Sequence, residues 1–249
     1  TYSTYLGYPR KNKLMRQSLW PLSLLLKRKI MQDGIPRYKT NGKLLDIGSS
    51  YGAFLAEMKY LGWTVKGIEM NEKASLFGRK ELGLDIQSIK LENLKAETKY
   101  DVITMRMFLE HVYSPNQTLN IVKNLLKADG ELIIIVPDIN GIERKIFGKY
   151  AYTNQVPTHL VHFSPITIKK FLQANGFDKI TIKHQTSLND ILIPFNYMIE
   201  EGKKVKLLKK VLSLPIIQKL ILKPVQELFA FFGKTSRMTI YATLNKTNE

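Results

Sequence analysis

Short apolar runs alternate along most of this chain with segments whose apolar positions recur three or four residues apart. The runs at Lys43–Ile47, 65–68, 84–88, 100–105 and 131–137 have the length and aliphatic content of strands. Between them the pattern predicts a helix starting near Tyr51 and a second over 73–81, capped by Asn71 and closed by Gly83. A third is predicted over 117–127, closed by Ala128, Asp129 and Gly130. Runs as apolar as YDVITM (100–105) and ELIIIVP (131–137) belong in the middle of a parallel sheet covered on both faces. The alternation therefore predicts a doubly wound α/β sheet, which gathers Gly48, Glu69, Met105 and Pro137 on its carboxyl edge, where ligands of such sheets sit. Further on come a helix over Pro165–Ala174 that ends at Asn175-Gly176, a sixth strand over 178–184, and a last strand over Arg237–Leu244.

The periphery has a different pattern. Residues 1–40 join an aromatic lead (Tyr2, Tyr5, Tyr8) to a basic segment carrying Leu14, Leu19, Leu22, Leu25 and Leu26 at roughly helical spacing. They are expected to fold over the ligand as a helical lid, or simply to pack as an N-terminal helix. Residues 188–234 mix Lys203, Lys204, Lys206, Lys209, Lys210, Lys219 and Lys223 with many Leu, Ile and Phe, and Pro215 and Pro224 divide them into short helices. Such basic amphipathic helices lie on an anionic membrane surface and reach a lipid-linked acceptor, or they form a lid or homodimer surface. The expected division is 1–40, then 41–187 together with 235–249, with 188–234 as an insertion.

Composition narrows the chemistry. The 249 residues accommodate one domain with an insertion, and 38 Lys+Arg against 21 Asp+Glu give a formal charge of +17. That charge favours an anionic partner: nucleic acid, a phospholipid surface or a phosphorylated substrate. Without cysteine there is no disulfide, thiolate nucleophile or Cys-based zinc site. No secretory leader pattern and no run of eighteen apolar residues is visible, so a cytoplasmic location is expected, with peripheral contact at the inner face of the membrane if the insertion docks there.

The stretch KLLDIGSSYGAFLAEMKYLGWTVKGIE carries the densest signal. Gly48-Ser49-Ser50-Tyr51-Gly52 forms a turn between a strand and a helix N-terminus, and Glu69 ends the next strand about twenty residues on, where a carboxylate accepts from both hydroxyls of a ribose. Of the dinucleotide fingerprint G-x-G-x-x-G only the first glycine is present, with Ser50 and Ala53 in the other places. Asp46 opposes a pyrophosphate but suits a cationic ligand. On these residues alone, another nucleotide on a Rossmann-like fold stays open.

The combination D-x-G-x-x-x-G followed by a ribose-binding acid resembles the first motif of class I S-adenosylmethionine-dependent methyltransferases. YDVITMRMFLEHVYSP, LLKADGELIIIVPD and HLVHFSPITIKKFLQANGFDKI resemble later blocks of a group that methylates small molecules or occurs with polysaccharide biosynthesis. The resemblance implies a Rossmann-like, seven-stranded, mostly parallel sheet whose last strand is antiparallel, with S-adenosylmethionine as cofactor and S-adenosylhomocysteine as product. It places Asp46, Gly48, Ser49, Ser50 and Gly52 around the methionine end, Glu69 on the ribose, Met70 against adenine and Leu91, flanked by Lys90 and Glu92, beside the adenine ring. Met105 and Arg106 close the site by backbone contacts; plain core packing is the alternative for Leu91 and Met105. Two departures stand out: Ser50, where a glycine is commoner, and Arg106-Met107, where relatives often carry Trp-His or another polar pair.

If the acceptor is a hydroxyl, a general base must take its proton, and without cysteine histidine is the natural group. His111, following Glu110 at the carboxyl edge, is the first choice, and His159 and His162 flank the loop before Ser164-Pro165. The alternative is that Glu110 and His111 only brace their helix. His184, in the sixth strand, is expected to be structural or exposed. No metal site is expected, since these groups lack ligand spacing in the sequence. The leading expectation is methylation of a hydroxyl on a sugar, glycan precursor or other small molecule. Two others are an RNA methyltransferase, disfavoured by the absence of an Asn/Asp-Pro-Pro-aromatic signature after the fourth strand, and a non-catalytic cofactor-binding protein.

Overall fold

The computed structural model describes residues 34–37, 39–95 and 98–245; most of the expected N-terminal lid lies outside the described residues. Seven strands form one sheet: β1 (Lys43–Ile47), β2 (Thr64–Ile68), β3 (Ile86–Gln87), β4 (Tyr100–Arg106), β5 (Leu126–Pro137), β6 (Phe177–His184) and β7 (Arg237–Leu244). Their order is β3-β2-β1-β4-β5-β7-β6, and only β7 runs against the others. This is the doubly wound Rossmann-like sheet. Its strand order reverses between β1 and β4, so a crevice opens at their carboxyl ends.

The strands alternate side chains between two helical layers. Leu45, Ile103 and Ile134 face one core with Leu119 and Val122 of α3 (Pro115–Leu125) and Ile168 and Leu172 of α5 (Pro165–Ala174). Leu44, Val102 and Ile133 face the other, with Phe54, Leu55 and Met58 of α1 (Ala53–Tyr60). Burial on both faces explains why these runs read as continuously apolar. Helix α2 (Glu72–Leu82) starts and stops where its caps predict: Asn71 Oδ1 accepts from the Ala74 amide at 3.1 Å, and Gly83 ends it at φ 61°. Helix α4 is Ile142–Phe147.

Two boundaries correct the sequence reading. Helix α3 begins at Pro115 and ends at Leu125, and Ala128, Asp129 and Gly130 do not close it but lie within β5. Tertiary pairing overrides local propensity there: Leu126 is fully buried and pairs with Tyr100, while Lys127 Nζ reaches Asp101 at 2.8 Å.

Between β6 and β7 lie α6 (Leu188–Glu200), α7 (Lys206–Leu212), α8 (Pro215–Ile217), a π-helical turn at Gln218–Leu222, and α9 (Lys223–Phe231). Buried Asp190 receives Arg237 Nη2 at 3.0 Å, which ties the start of α6 to the start of β7. Among the described residues no helix is long and apolar enough to cross a membrane.

Candidate active site

The turn after β1 lies at the carboxyl edge of the sheet. Gly48 and Gly52 have φ of 76° and 79°, and Cβ atoms there would sit 2.6 Å from Phe108 Cδ2 and 2.5 Å from Leu84 Cδ1. Glycine is therefore required both for conformation and for space. The amides of Gly48 and Ser49 donate to the Ile68 carbonyl at 2.9 and 3.0 Å, which locks the turn against β2. Ser50 takes φ 50°, the left-handed region that a glycine fills without strain.

Glu69 completes this edge. One carboxylate oxygen accepts from the Ser50 amide at 2.9 Å and the other from the Asn71 amide at 2.7 Å. Each oxygen keeps a further acceptor site, which is what a ribose diol requires. Met70 beside it is 65% exposed, an apolar side chain held in the open at the edge of the crevice. Asp46 is buried below the turn and accepts from Thr104 Oγ1 at 2.6 Å. Burial pushes its carboxyl up to about 6, against the opposing pull of the Thr104 bond and the Arg106 charge. Leu91 and Met105 both belong to the hydrophobic core beneath the sheet. Arg106 turns its guanidinium over the Phe54 ring, 4.3 Å from its centroid, with Nη1 buried and unpartnered among the described residues.

The second half of the site is assembled from two distant segments. After β4, Met107 takes φ 52°, and the chain makes a single 3₁₀ turn at Leu109–His111. The loop before α5 folds back onto it, the amides of Leu160 and Val161 donating to the Glu110 carbonyl at 2.8 and 3.1 Å. This brings His159 beside His111, with ring centroids 4.8 Å apart, and His162 beside His159 at 6.3 Å.

The tautomers follow from the partners. His111 Nδ1 lies 2.9 Å from the Thr158 carbonyl and His159 Nδ1 lies 2.9 Å from the Thr153 carbonyl. A carbonyl oxygen only accepts, so each Nδ1 carries the proton and each Nε2 presents a lone pair. His159 is buried, and desolvation lowers its pKa and favours the neutral ring. Glu110 is 1% exposed and neither carboxylate oxygen has a partner among the described residues. Burial pushes it up to about 8. Its Oε1 stands 4.0 Å from His111 Nε2, too far for a hydrogen bond.

One donor atom each from Glu110, His111 and His159 lie within 4.8 Å of one another. These groups lack ligand spacing in the sequence, where His159 is remote, and it is the fold of the loop that makes them neighbours. His184 is a brace, with Nε2 3.0 Å from Asp138 Oδ2. Sequence reasoning missed Thr104, Phe108, Thr153 and Thr158, which hold or cover the site through contacts that no local pattern announces. Next to the cluster, Thr158 and His162 help line an open cavity of about 1140 Å³ together with Arg144, Lys149, Tyr150 and Tyr197.

Comparison with known proteins agrees with this fold. The family described as a methyltransferase domain matches residues 24–182. A ubiquinone biosynthesis O-methyltransferase of Glaesserella parasuis is 38% identical over 111 residues, covering 39% of this chain and 47% of that protein. The mitochondrial ubiquinone biosynthesis O-methyltransferase of Schizosaccharomyces pombe is 26% identical over 160 residues, covering 60% of this chain and 56% of that protein. The chain thus spans about half the length of these curated relatives. Among solved structures, phosphoethanolamine N-methyltransferase 2 of Haemonchus contortus in complex with S-adenosyl-L-methionine shares the fold, with a TM-score of 0.56 at 16% identity over 91% of this chain and 52% of that one. With its family match over more than half its length, the chain belongs to the methyltransferase-domain family.

Proposed function

We propose that this chain transfers a methyl group to a hydroxyl oxygen of a small molecule, with His111 as the base that takes the hydroxyl proton. The observation that carries this reading is the pair of tethered imidazoles, each held by a backbone carbonyl on Nδ1 with Nε2 free, beside a buried carboxyl group. The relatives named O-methyltransferases of ubiquinone biosynthesis support oxygen as the accepting atom. A sugar or glycan precursor falls within the class of hydroxylated small molecules, but neither relative speaks for it.

The residues at the glycine turn fit the cofactor. Gly48 and Gly52 supply the left-handed backbone that shapes the turn and packs it against Phe108 and Leu84, Glu69 keeps acceptor sites for the ribose, and Met70 offers an apolar flank for adenine. Asp46, Ser49 and Ser50 would shape the methionine end, and Met105 and Arg106 would close the site with their backbone. Bound there, S-adenosylmethionine supplies a methyl already activated on a sulfonium. The protein must then align the acceptor, exclude water and take one proton. Transfer of that methyl to the acceptor oxygen would release the hydroxyl proton, and His111 Nε2 would be the atom to take it. Glu110 Oε1 stands 4.0 Å from that nitrogen, and a positive charge on the ring would in turn favour ionisation of its buried carboxyl.

Methyl transfer from labelled S-adenosylmethionine to paired small molecules that offer either a hydroxyl or an amine tests this reading. Transfer to hydroxyls only, lost in His111→Ala, supports it; transfer to amines with His111→Ala unimpaired overturns it. A second reading has one observation in its favour, the convergence of a carboxylate and two imidazole lone pairs within 4.8 Å, which suits one divalent cation. Loss of turnover with a chelator and its recovery with added divalent metal would select that reading.

A further inference from the structure

The insertion between β6 and β7 has a surface unlike the rest of the molecule. Of the nineteen large apolar side chains exposed among the described residues, eleven lie between Leu207 and Phe232. Leu207 is 75% exposed and Phe231 83%, while Ile221, Val225, Leu228 and Phe232 recur at helical spacing. Eight lysines occur over residues 203–234, with Glu227 the single acid. An apolar patch of this extent marks an interaction site. Apolar side chains among lysines, whose stems lie along apolar surface while the ammonium stays in water, are the composition of helices at a membrane interface.

Charge selects the occupant. A second copy of this chain would bring the same lysines against one another. The sequence before Gly34 carries seven Lys and Arg against the single acid Asp33, so its charge also opposes covering this face. Anionic lipid headgroups complement it, and the acyl region below them accepts the apolar side chains. We propose that the helices of residues 203–232 dock the protein on an anionic bilayer. The surface is joined to the body of the protein: Lys209 bonds Asn196 of α6, Gln226 Nε2 donates to the Ser187 carbonyl at 2.8 Å, and Arg237 pairs with Asp190. Helix α6 also supplies Tyr197 and Glu200 to the wall of the open cavity, and Glu201 follows at its C-terminal cap, so docking sets that cavity beside the membrane. The inference rests on this face and is independent of the identity of the acceptor.

Co-sedimentation of the full chain with phosphatidylglycerol/phosphatidylcholine vesicles, and with vesicles of phosphatidylcholine alone, tests it. Two surface variants keep the N-terminal basic segment intact: Lys203→Glu/Lys206→Glu/Lys219→Glu and Leu228→Ser/Phe231→Ser/Phe232→Ser. The expected result is binding to the anionic vesicles at low salt, at least ten-fold weaker on the neutral vesicles and in either variant, with cofactor binding unchanged. Absence of binding to anionic vesicles overturns the proposal. So does binding that both variants retain in full, and so does a dimer that only the apolar variant dissociates while vesicles go unbound.

Discussion

The glycine turn and the histidine cluster lie on the same edge of the sheet, yet they treat their polar groups in opposite ways. At the turn, the Gly48, Ser49 and Ser50 amides all have partners, and the Glu69 carboxylate bridges the turn to the residue that caps the next helix. In the cluster, both oxygens of Glu110 and Nε2 of His159 are buried without partners among the described residues. A buried polar group left in that state costs about 1–3 kcal/mol. The turn's polar groups are fixed in advance, whereas the cluster leaves buried lone pairs without partners; in the proposed function the first holds the cofactor and the second takes the proton. Binding and chemistry should therefore be separable by mutation.

The largest expected effect is on the chemical side. His111→Ala is expected to lower kcat by about 100-fold or more, the usual worth of a positioned general base. The dissociation constant for S-adenosylhomocysteine should stay within about two-fold, as checked by steady-state kinetics and calorimetry. Equal loss in both would reduce His111 to a brace. On the binding side, Gly48→Ala forces a Cβ to 2.6 Å from Phe108 at φ 76°. It is expected to cost about 2 kcal/mol of stability and to weaken the cofactor, measured by chemical denaturation and titration.

Away from both regions, buried Asp101 sharpens the comparison, because it is a carboxylate with full pairing. Burial opposes its charge, but Lys127 and Lys39, with ammonium groups at 2.8 and 2.6 Å, and the Lys43 amide at 2.9 Å hold its pKa down to about 2. Since the folded value lies below the ordinary carboxylate value, this stabilisation is present above about pH 4 and is lost as pH falls through about 2. Asp101→Asn is expected to cost about 2 kcal/mol at neutral pH and to flatten the acid limb of the stability curve. The smallest effect belongs to Ser50, whose φ of 50° favours glycine. Ser50→Gly should gain up to about 1 kcal/mol, read as a small rise in Tm.

The two regions also differ in how far the sequence announces them. The turn, its two flanking strands and Glu69 fit in one short stretch, where glycine spacing and a strand-ending acid are local signals. The α/β alternation was legible for the same reason, since period and caps such as Asn71 and Gly83 act over a few residues. The junction after α3 was not, because Leu126 takes strand geometry only through its pairing with Tyr100. Pro115, a signal for a helix start, was present but passed over. His159 reaches Glu110 only because the loop before α5 hydrogen-bonds back onto the Glu110 carbonyl. Glu110 and His111 were legible as candidates; their convergence with His159 depends on long-range folding that spacing does not encode.

The most direct test of a separate binding turn and reacting cluster is one calorimetric comparison. S-adenosylhomocysteine would be titrated into the wild type, Glu69→Ala and His111→Ala. The account predicts binding to the wild type, weakened about ten-fold, roughly 1.4 kcal/mol, by Glu69→Ala and unchanged by His111→Ala. Binding that survives Glu69→Ala in full, or that His111→Ala weakens as much as Glu69→Ala does, would contradict it.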